Sequence, residues 1–169
     1  MATILTTTYG TPTTLTITLS SLAESSTWVA GRSSVEVDNT SLKYIDVIVD
    51  NPGGIVGTPT AIGQELRIYV WGQATAASAS AISTLVGTNE AVTVSLDALQ
   101  ALRLGAAISS TAASGTLTHY FMPFSVASLF GGVMPLYWGG FVSHNIGTAD
   151  LGTSQTTKIR YTGITYTST

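Results

Sequence analysis

A long uncharged stretch constrains the fold of this chain more than any other feature of its sequence. Residues 120–142 are 23 consecutive positions without Asp, Glu, Lys or Arg, which is long enough for a membrane-spanning helix. Two prolines and two Gly-Gly pairs interrupt the stretch, and basic flanks that would orient a span are missing. We therefore predict no membrane span, but two short core strands at about residues 117–122 and 136–143, paired through a loop that contains Gly and Pro.

Alternating segments predict further strands. In residues 13–19 (TTLTITL), 44–50 (YIDVIVD) and 65–71 (ELRIYVW), an apolar side chain occupies every second position, which is the period of a half-buried strand. Further candidates lie at 35–39, 92–94 and 156–166. About eight strands separated by turn residues predict an all-β fold, a single-domain antiparallel β-sandwich of jelly-roll type.

One segment has the pattern of a helix. In SLDALQALRLG, Ser95 is a candidate N-cap, leucines recur every third residue, and Gly105 is a candidate terminator. We predict a short helix at about residues 95–104. The domain is predicted to cover residues 13–169, and the uncharged, Thr-rich residues 1–12 are predicted to form an arm that reaches a neighbouring molecule. The Ala- and Ser-rich residues 74–81 are predicted to form a loop.

Charge is scarce throughout the chain. Charged residues make up 9% of the sequence, against about 25% in a typical soluble domain. A folded monomer of this size exposes on the order of 8,000 Å², or roughly one charge per 500 Å², so we expect part of the surface to be covered by neighbours in an assembly. The net charge of −3 argues against a nucleic-acid partner. There is no cysteine, so neither a disulfide framework nor a thiolate metal site is predicted. The N-terminus lacks the pattern of a signal peptide, so cytosolic synthesis is expected.

The titratable residues give little indication of chemistry. His119 and His144 flank the apolar stretch and are expected to be buried histidines with ordinary hydrogen bonds. Asp46 and Asp50 share a strand face about 13 Å apart, too far for a glycosidase pair, and are expected to form a solvated face. We predict no enzyme activity, no cofactor and no metal site.

The aromatic residues suggest a binding surface instead. In 65–71, the face opposite the aliphatic residues carries Arg67, Tyr69 and Trp71, and we expect this face to point outward. Such a patch suits either stacking on sugar rings or a protein interface. The candidate interface residues are Trp28, Arg67, Tyr69, Trp71, Phe130 and Tyr137.

Three segments carry a resemblance to a known family. They are WVAGRSSVEVDNTSLKYIDVIV (28–49), YFMPFSVASLFGGVMPLYWGGFVSHNIG (120–147) and IRYTGITYTST (159–169). Together they resemble small virion structural proteins of tailed bacteriophages, which decorate or cement the head.

The resemblance implies a scaffold without enzymatic residues, present in many copies on the capsid surface and in contact with the major capsid protein. Because oligomers are usually closed and symmetric, a homodimer or homotrimer made in the host cytoplasm is expected. The alternatives are a tail or head-to-tail component, or a carbohydrate-binding jelly-roll module for host attachment.

Overall fold

The computed structural model describes residues 5–76, 82, 84–147, 151–152, 155 and 158–168. Within these residues the chain forms thirteen strands and three short helices. In chain order they are β1 (Leu5–Tyr9), β2 (Thr13–Thr14), β3 (Ala30–Ser33), β4 (Val37–Asp38), α1 (Asn39–Leu42), β5 (Asp46–Asp50), β6 (Ile55–Gly57), β7 (Glu65–Gln73), β8 (Ala91–Thr93), α2 (Leu96–Ala101), β9 (Arg103–Ser109), β10 (Leu117–His119), β11 (Phe124–Ser125), α3 (Val126–Leu129), β12 (Tyr137–His144) and β13 (Arg160–Ser168).

Two antiparallel sheets make up most of the structure. The first has the order β1-β13-β5-β11, with β2 also paired to β13, and the second has the order β8-β3-β12-β7-β9, with β4 also paired to β12. The sheets pack face to face, and Trp138 of β12 meets Tyr161 of β13 edge-on with 5.4 Å between ring centroids. The predicted all-β antiparallel sandwich is confirmed, while its jelly-roll type stays a prediction.

The main core lies between these sheets, and alternation in the sequence identified several of its members, although Ile45 of the segment 44–50 is exposed. Its buried side chains include Val47 and Val49 of β5, Leu66, Ile68 and Val70 of β7, and Leu15, Ile17 and Leu19. Of the predicted strand 13–19 only β2 is regular. The remainder is extended and bonds to two places, since Leu15 N–H donates to Ile159 O at 3.0 Å and Val35 N–H to Thr16 O at 2.8 Å.

A second, smaller core covers the other face of the second sheet. Tyr69, Trp71 and Phe141 pack there with three leucine and valine side chains, Leu85, Val94 and Leu102. The prediction that Tyr69 and Trp71 point outward is wrong, because the connection from β7 through α2 to β9 folds back over them. A Cβ at Gly139 would overlap the Trp71 indole, so β12 needs glycine at the point where this indole lies against it.

The predicted pairing of the two strands in the apolar stretch is also wrong. β10 pairs with β6, whereas β12 is central in the second sheet, between β7 on one side and β3 and β4 on the other. The segment between them is not a simple loop but contains β11 and α3. None of the described helices is long and apolar enough to cross a membrane.

The predicted helix exists but is shorter than expected. Ser95 caps it as predicted, accepting a hydrogen bond from Ala98 N–H at 3.1 Å. α2 ends at Ala101, and the next residue, Leu102, is extended and buried in the second core. Gly105 is therefore not the terminator and lies inside β9. Within the predicted loop 74–81, residues 77–81 lie outside the described residues.

Candidate interaction surface

Two of the six predicted interface residues lie in contact although they are far apart in the sequence. The Arg67 guanidinium stacks over the Trp28 ring, 3.9 Å from the centroid, and also pairs with Glu65 at 2.8 Å. Trp28 has φ of 65°, a left-handed conformation that is uncommon for a bulky residue. Both side chains are half-buried, so their exposed parts form an aromatic and basic surface near the start of β7.

The other four predicted residues divide into two pairs. Tyr69 and Trp71 are buried in the second core, so neither can stack on a sugar ring. Phe130 and Tyr137 are half-buried. Tyr137 and the fully buried Trp138 occupy opposite faces of β12.

An apolar groove lies beside Phe130, and its residues were not predicted from the sequence. It has a volume of about 670 Å³ between α1 and the loop 130–136. Its apolar lining consists of Tyr44, Ile45, Val133, Met134 and Leu136, and its polar lining of Asn39, Thr40 and Lys43. Val133 is 71% exposed. We call these eight residues, together with Gly132, the apolar groove.

A second depression extends the groove towards the second sheet. It has a volume of about 300 Å³ and shares Val133, Met134 and Leu136 with the apolar groove. Phe130 and Gly72 also line it. Phe130 is thus the one predicted interface residue among the lining residues of this second depression.

The polar rim of the groove is held by hydrogen bonds of Asn39. Its backbone N–H donates to Leu136 O at 2.8 Å, which joins α1 to the loop 130–136. Its side chain donates to Tyr44 O at 3.0 Å and accepts from Tyr44 N–H at 2.9 Å. Because Asn39 is buried with these bonds satisfied, the groove is formed before any partner binds.

Glycines shape the other wall. Gly131 and Gly132 both have positive φ, 72° and 90°, which favours glycine over other residues. Gly132 N–H donates to Ala127 O at 2.8 Å and closes the end of α3. This turn directs the chain so that Val133, the residue after it, is left in solvent.

The two histidines are buried and hydrogen-bonded, as expected. His144 Nδ1 accepts from Ile146 N–H at 3.2 Å, so its Nε2 carries the proton and donates to Leu22 O at 2.7 Å. His119 Nδ1 lies 3.2 Å from Ile55 O. Burial lowers the pKa of His119, and its bond to the Ile55 carbonyl offsets part of that effect. Within the part of the chain that the structure describes, no cluster of three His, Cys, Asp or Glu side chains could hold a metal ion.

Asp46 and Asp50 each have a structural partner rather than forming a simple solvated face. Asp46 accepts from Ser125 Oγ at 2.7 Å and from Ala127 N–H at 2.9 Å, so it fixes the start of α3. Asp50 pairs with Arg160 of β13 at 3.1 Å. Each carboxylate therefore ties β5 to a neighbouring element.

Comparison with protein-family models, with characterised proteins and with solved structures gives no significant match.

Proposed function

We propose that this chain is a non-enzymatic structural protein of a tailed-bacteriophage virion that decorates the head by bridging subunits of the major capsid protein. The apolar groove carries the proposal. Its centre is apolar and partly exposed, and its rim is polar, which is the arrangement found in protein interfaces.

The groove is suited to a protein partner rather than to a charged ligand. Lys43 is the one charged residue among its described lining residues. Exposed apolar side chains that cluster in this way indicate an interaction site, and the fixed loop geometry limits the entropy lost on binding. The scarcity of charge in the whole chain, six basic and nine acidic residues on 8187 Å² of surface, also supports a working state in which neighbours cover part of that surface.

Weak contacts of this kind become effective through multiplicity. A groove of this size holds a few side chains, so a single contact to a capsid subunit would be weak. A subunit that touches two or more capsid proteins at once gains affinity through effective concentration. Decoration by bridging therefore needs several contacts per molecule rather than one strong interface.

The test is co-sedimentation of the purified chain with emptied heads of the phage that encodes it, prepared without this protein. We expect saturable binding. Val133→Asp should weaken it at least about tenfold, because the substitution places a charge at the centre of an apolar contact. Ile62→Asp is the matched control, since Ile62 is also 71% exposed but lies outside the groove, and it should bind as the parent does.

Two outcomes would contradict the proposal. If the parent chain does not bind heads but co-sediments with purified tails, the chain is a tail component. If both aspartate variants bind heads equally well, the apolar groove is not the contact. Thermal unfolding of both variants serves to show that they are folded.

A further inference from the structure

The strands β1 and β13 form a two-stranded ribbon beyond the edge of β5. β13 pairs with β5 only from Arg160 to Ile164, and with β1 from Ile164 to Ser168. All five residues of β1 are exposed, as are residues 166–168. We call residues 5–9 and 164–168 the β1–β13 ribbon. Isolated two-stranded ribbons are marginally stable in water, so this one would gain from further pairing.

The two faces of the ribbon differ in chemistry. One face carries a ladder of threonines, and Thr167 Oγ1 lies 3.2 Å from Thr6 Oγ1 and 3.1 Å from Thr8 Oγ1. The other face carries Leu5, Tyr9 and Tyr166, which are 64%, 68% and 58% exposed. These three side chains therefore leave an apolar surface in water, whereas Ile164 on the same face is buried.

The outer edge of β1 has free backbone groups. Gly10 N–H donates to Gly163 O at 2.8 Å, and this register assigns Thr6 and Thr8 to the hydrogen-bonded pairs with β13. The N–H and C=O groups of Leu5, Thr7 and Tyr9 accordingly point away from β13. Among the described residues, no strand pairs with β1 on that side.

This edge lacks the usual protection against pairing with another chain. Proteins guard exposed edge strands with charged residues, prolines or bulges. None of the ten residues of the β1–β13 ribbon is charged or is proline, and β1 pairs with β13 in continuous register. An unguarded edge of this length is a template for another strand.

We propose that β1 pairs antiparallel with β1 of a second copy of this chain, about a two-fold axis at Thr7. In this register Leu5 lies opposite Tyr9 of the second copy, and Tyr9 opposite its Leu5. These aliphatic–aromatic cross-strand pairs stabilise antiparallel strands. The three residues with outward backbone groups would then all form hydrogen-bonded pairs, and the two ribbons would become one four-stranded sheet.

A second copy is the partner that the sequence of β1 favours. The strand LTTTY has a large apolar residue at each end and threonine between them, so it complements itself when reversed. It carries no charge, so two copies do not repel each other. The outer edge of β13 is a poorer candidate, because only Tyr166 and Ser168 present outward backbone groups there.

The pairing is expected to be weak in solution. Stable interfaces bury about 1,600 Å², and two five-residue strands bury far less. We therefore expect reversible association that is visible at high protein concentration. The pairing is a property of the purified chain and does not depend on the proposed role in a capsid, so each can fail without the other.

The first test compares edge variants by sedimentation equilibrium over a wide range of protein concentration. Thr7→Pro removes an outward N–H, which an edge strand tolerates, and Thr7→Lys places like charges opposite each other across the axis. Both should lower the association constant at least about tenfold relative to the parent. Thr7→Val keeps the N–H and is the matched control, and it should associate as the parent does.

The second test uses the absence of cysteine from the chain. In the proposed register the Cα atoms of the two copies of residue 7 lie about 5.5 Å apart, within disulfide reach. The two copies of residue 8 lie about 8 Å apart, beyond that reach. Thr7→Cys should form a disulfide-linked dimer under mild oxidation, and Thr8→Cys should not.

Several results would overturn the proposal. They are a parent chain that stays monomeric at every concentration, a Thr7→Pro variant that associates as strongly as the parent, and equal cross-linking of the two cysteine variants. A second copy would then not be the partner of this edge. Far-UV circular dichroism of each variant shows whether it is folded.

Discussion

At the scale of single residues, the three tryptophans occupy three different environments. Trp138 is fully buried in the main core, and Trp71 is buried in the second core. Trp28 is half-buried and stacks under the Arg67 guanidinium. Their contributions to stability should therefore differ, because truncating a large side chain lowers the free energy of unfolding more when that side chain is more deeply buried.

Trp71→Ala is expected to lower the free energy of unfolding by about 3–5 kcal/mol, because it leaves a cavity between β7, β12 and the segment that covers them. Trp28→Ala removes a partly exposed stacking contact and should cost about 1 kcal/mol. Urea unfolding of both variants measures the difference. Equal losses would mean that the second core is not packed as described.

His119 should make stability depend on pH. Burial lowers its pKa in the folded chain below that of an exposed imidazole, so the unfolded chain binds the proton more readily. Stability is then fully present well above pH 6.5, the ordinary pKa of histidine, and falls as the pH decreases below that value towards the lowered pKa of the folded chain. His119→Asn should reduce this pH dependence, as measured by urea unfolding above and below that pH. If the variant keeps the same pH dependence of stability, titratable groups other than His119 cause it.

The faces of β7 could be predicted from the sequence, but the covering of the second face could not. Alternation in 65–71 correctly grouped Leu66, Ile68 and Val70 on one side and Arg67, Tyr69 and Trp71 on the other. Whether a face is covered depends on a segment that is distant in the sequence. The signal was the apolar side of the predicted helix, which needed a surface against which to pack.

At the scale of elements, local signals defined the start of α2 but not its end. Ser95 bonds to a backbone N–H within the helix, and this bond depends only on nearby residues. The helix ends early because Leu102 enters the second core and Arg103 begins β9, and both depend on β7. The same reasoning applies to β10 and β12. Strands that are neighbours in the sequence often pair, but here β10 pairs with β6 and β12 with β7, which are distant in the sequence.

Ser95→Ala should cost about 0.5–2 kcal/mol, the usual contribution of an N-cap. The effect should appear in thermal unfolding as a lower midpoint. Ser41→Ala is a suitable control, since the Ser41 hydroxyl makes only a long hydrogen bond of 3.5 Å, to Asp38 O, among the described residues, and its removal should change stability by less than about 0.5 kcal/mol. A loss as large for Ser41 would remove the cap as the explanation.

At the scale of the whole molecule, the sequence predicted an antiparallel all-β chain but not its strand order. Strand order depends on pairing over long distances, such as Leu5 with Ser168, and no local pattern contains it. The apolar groove was missed for a related reason. The segment GGVMPL (131–136) has the composition of a loop, and the exposure of its valine depends on how α1 and α3 hold that loop.

Self-association should be nearly independent of salt, because the β1–β13 ribbon carries no charge. Raising the ionic strength from about 0.1 to 1 M shortens the Debye length from about 10 to 3 Å. We expect the association constant to change by less than about twofold over this range, as measured by sedimentation equilibrium. A tenfold weakening would show that charged residues elsewhere carry the association.

The position of β13 also governs how the chain can fold during synthesis. β13 lies between β5 on one side and β1 and β2 on the other, and among the described residues it alone joins them into one sheet. Until residues 160–168 have left the ribosome, β1 and β2 have no partner strand and β5 can pair only with β11, so the edges that face β13 stay open. Any chain that stops before this strand therefore exposes β1, β2 and β5, which makes a truncated product prone to aggregation.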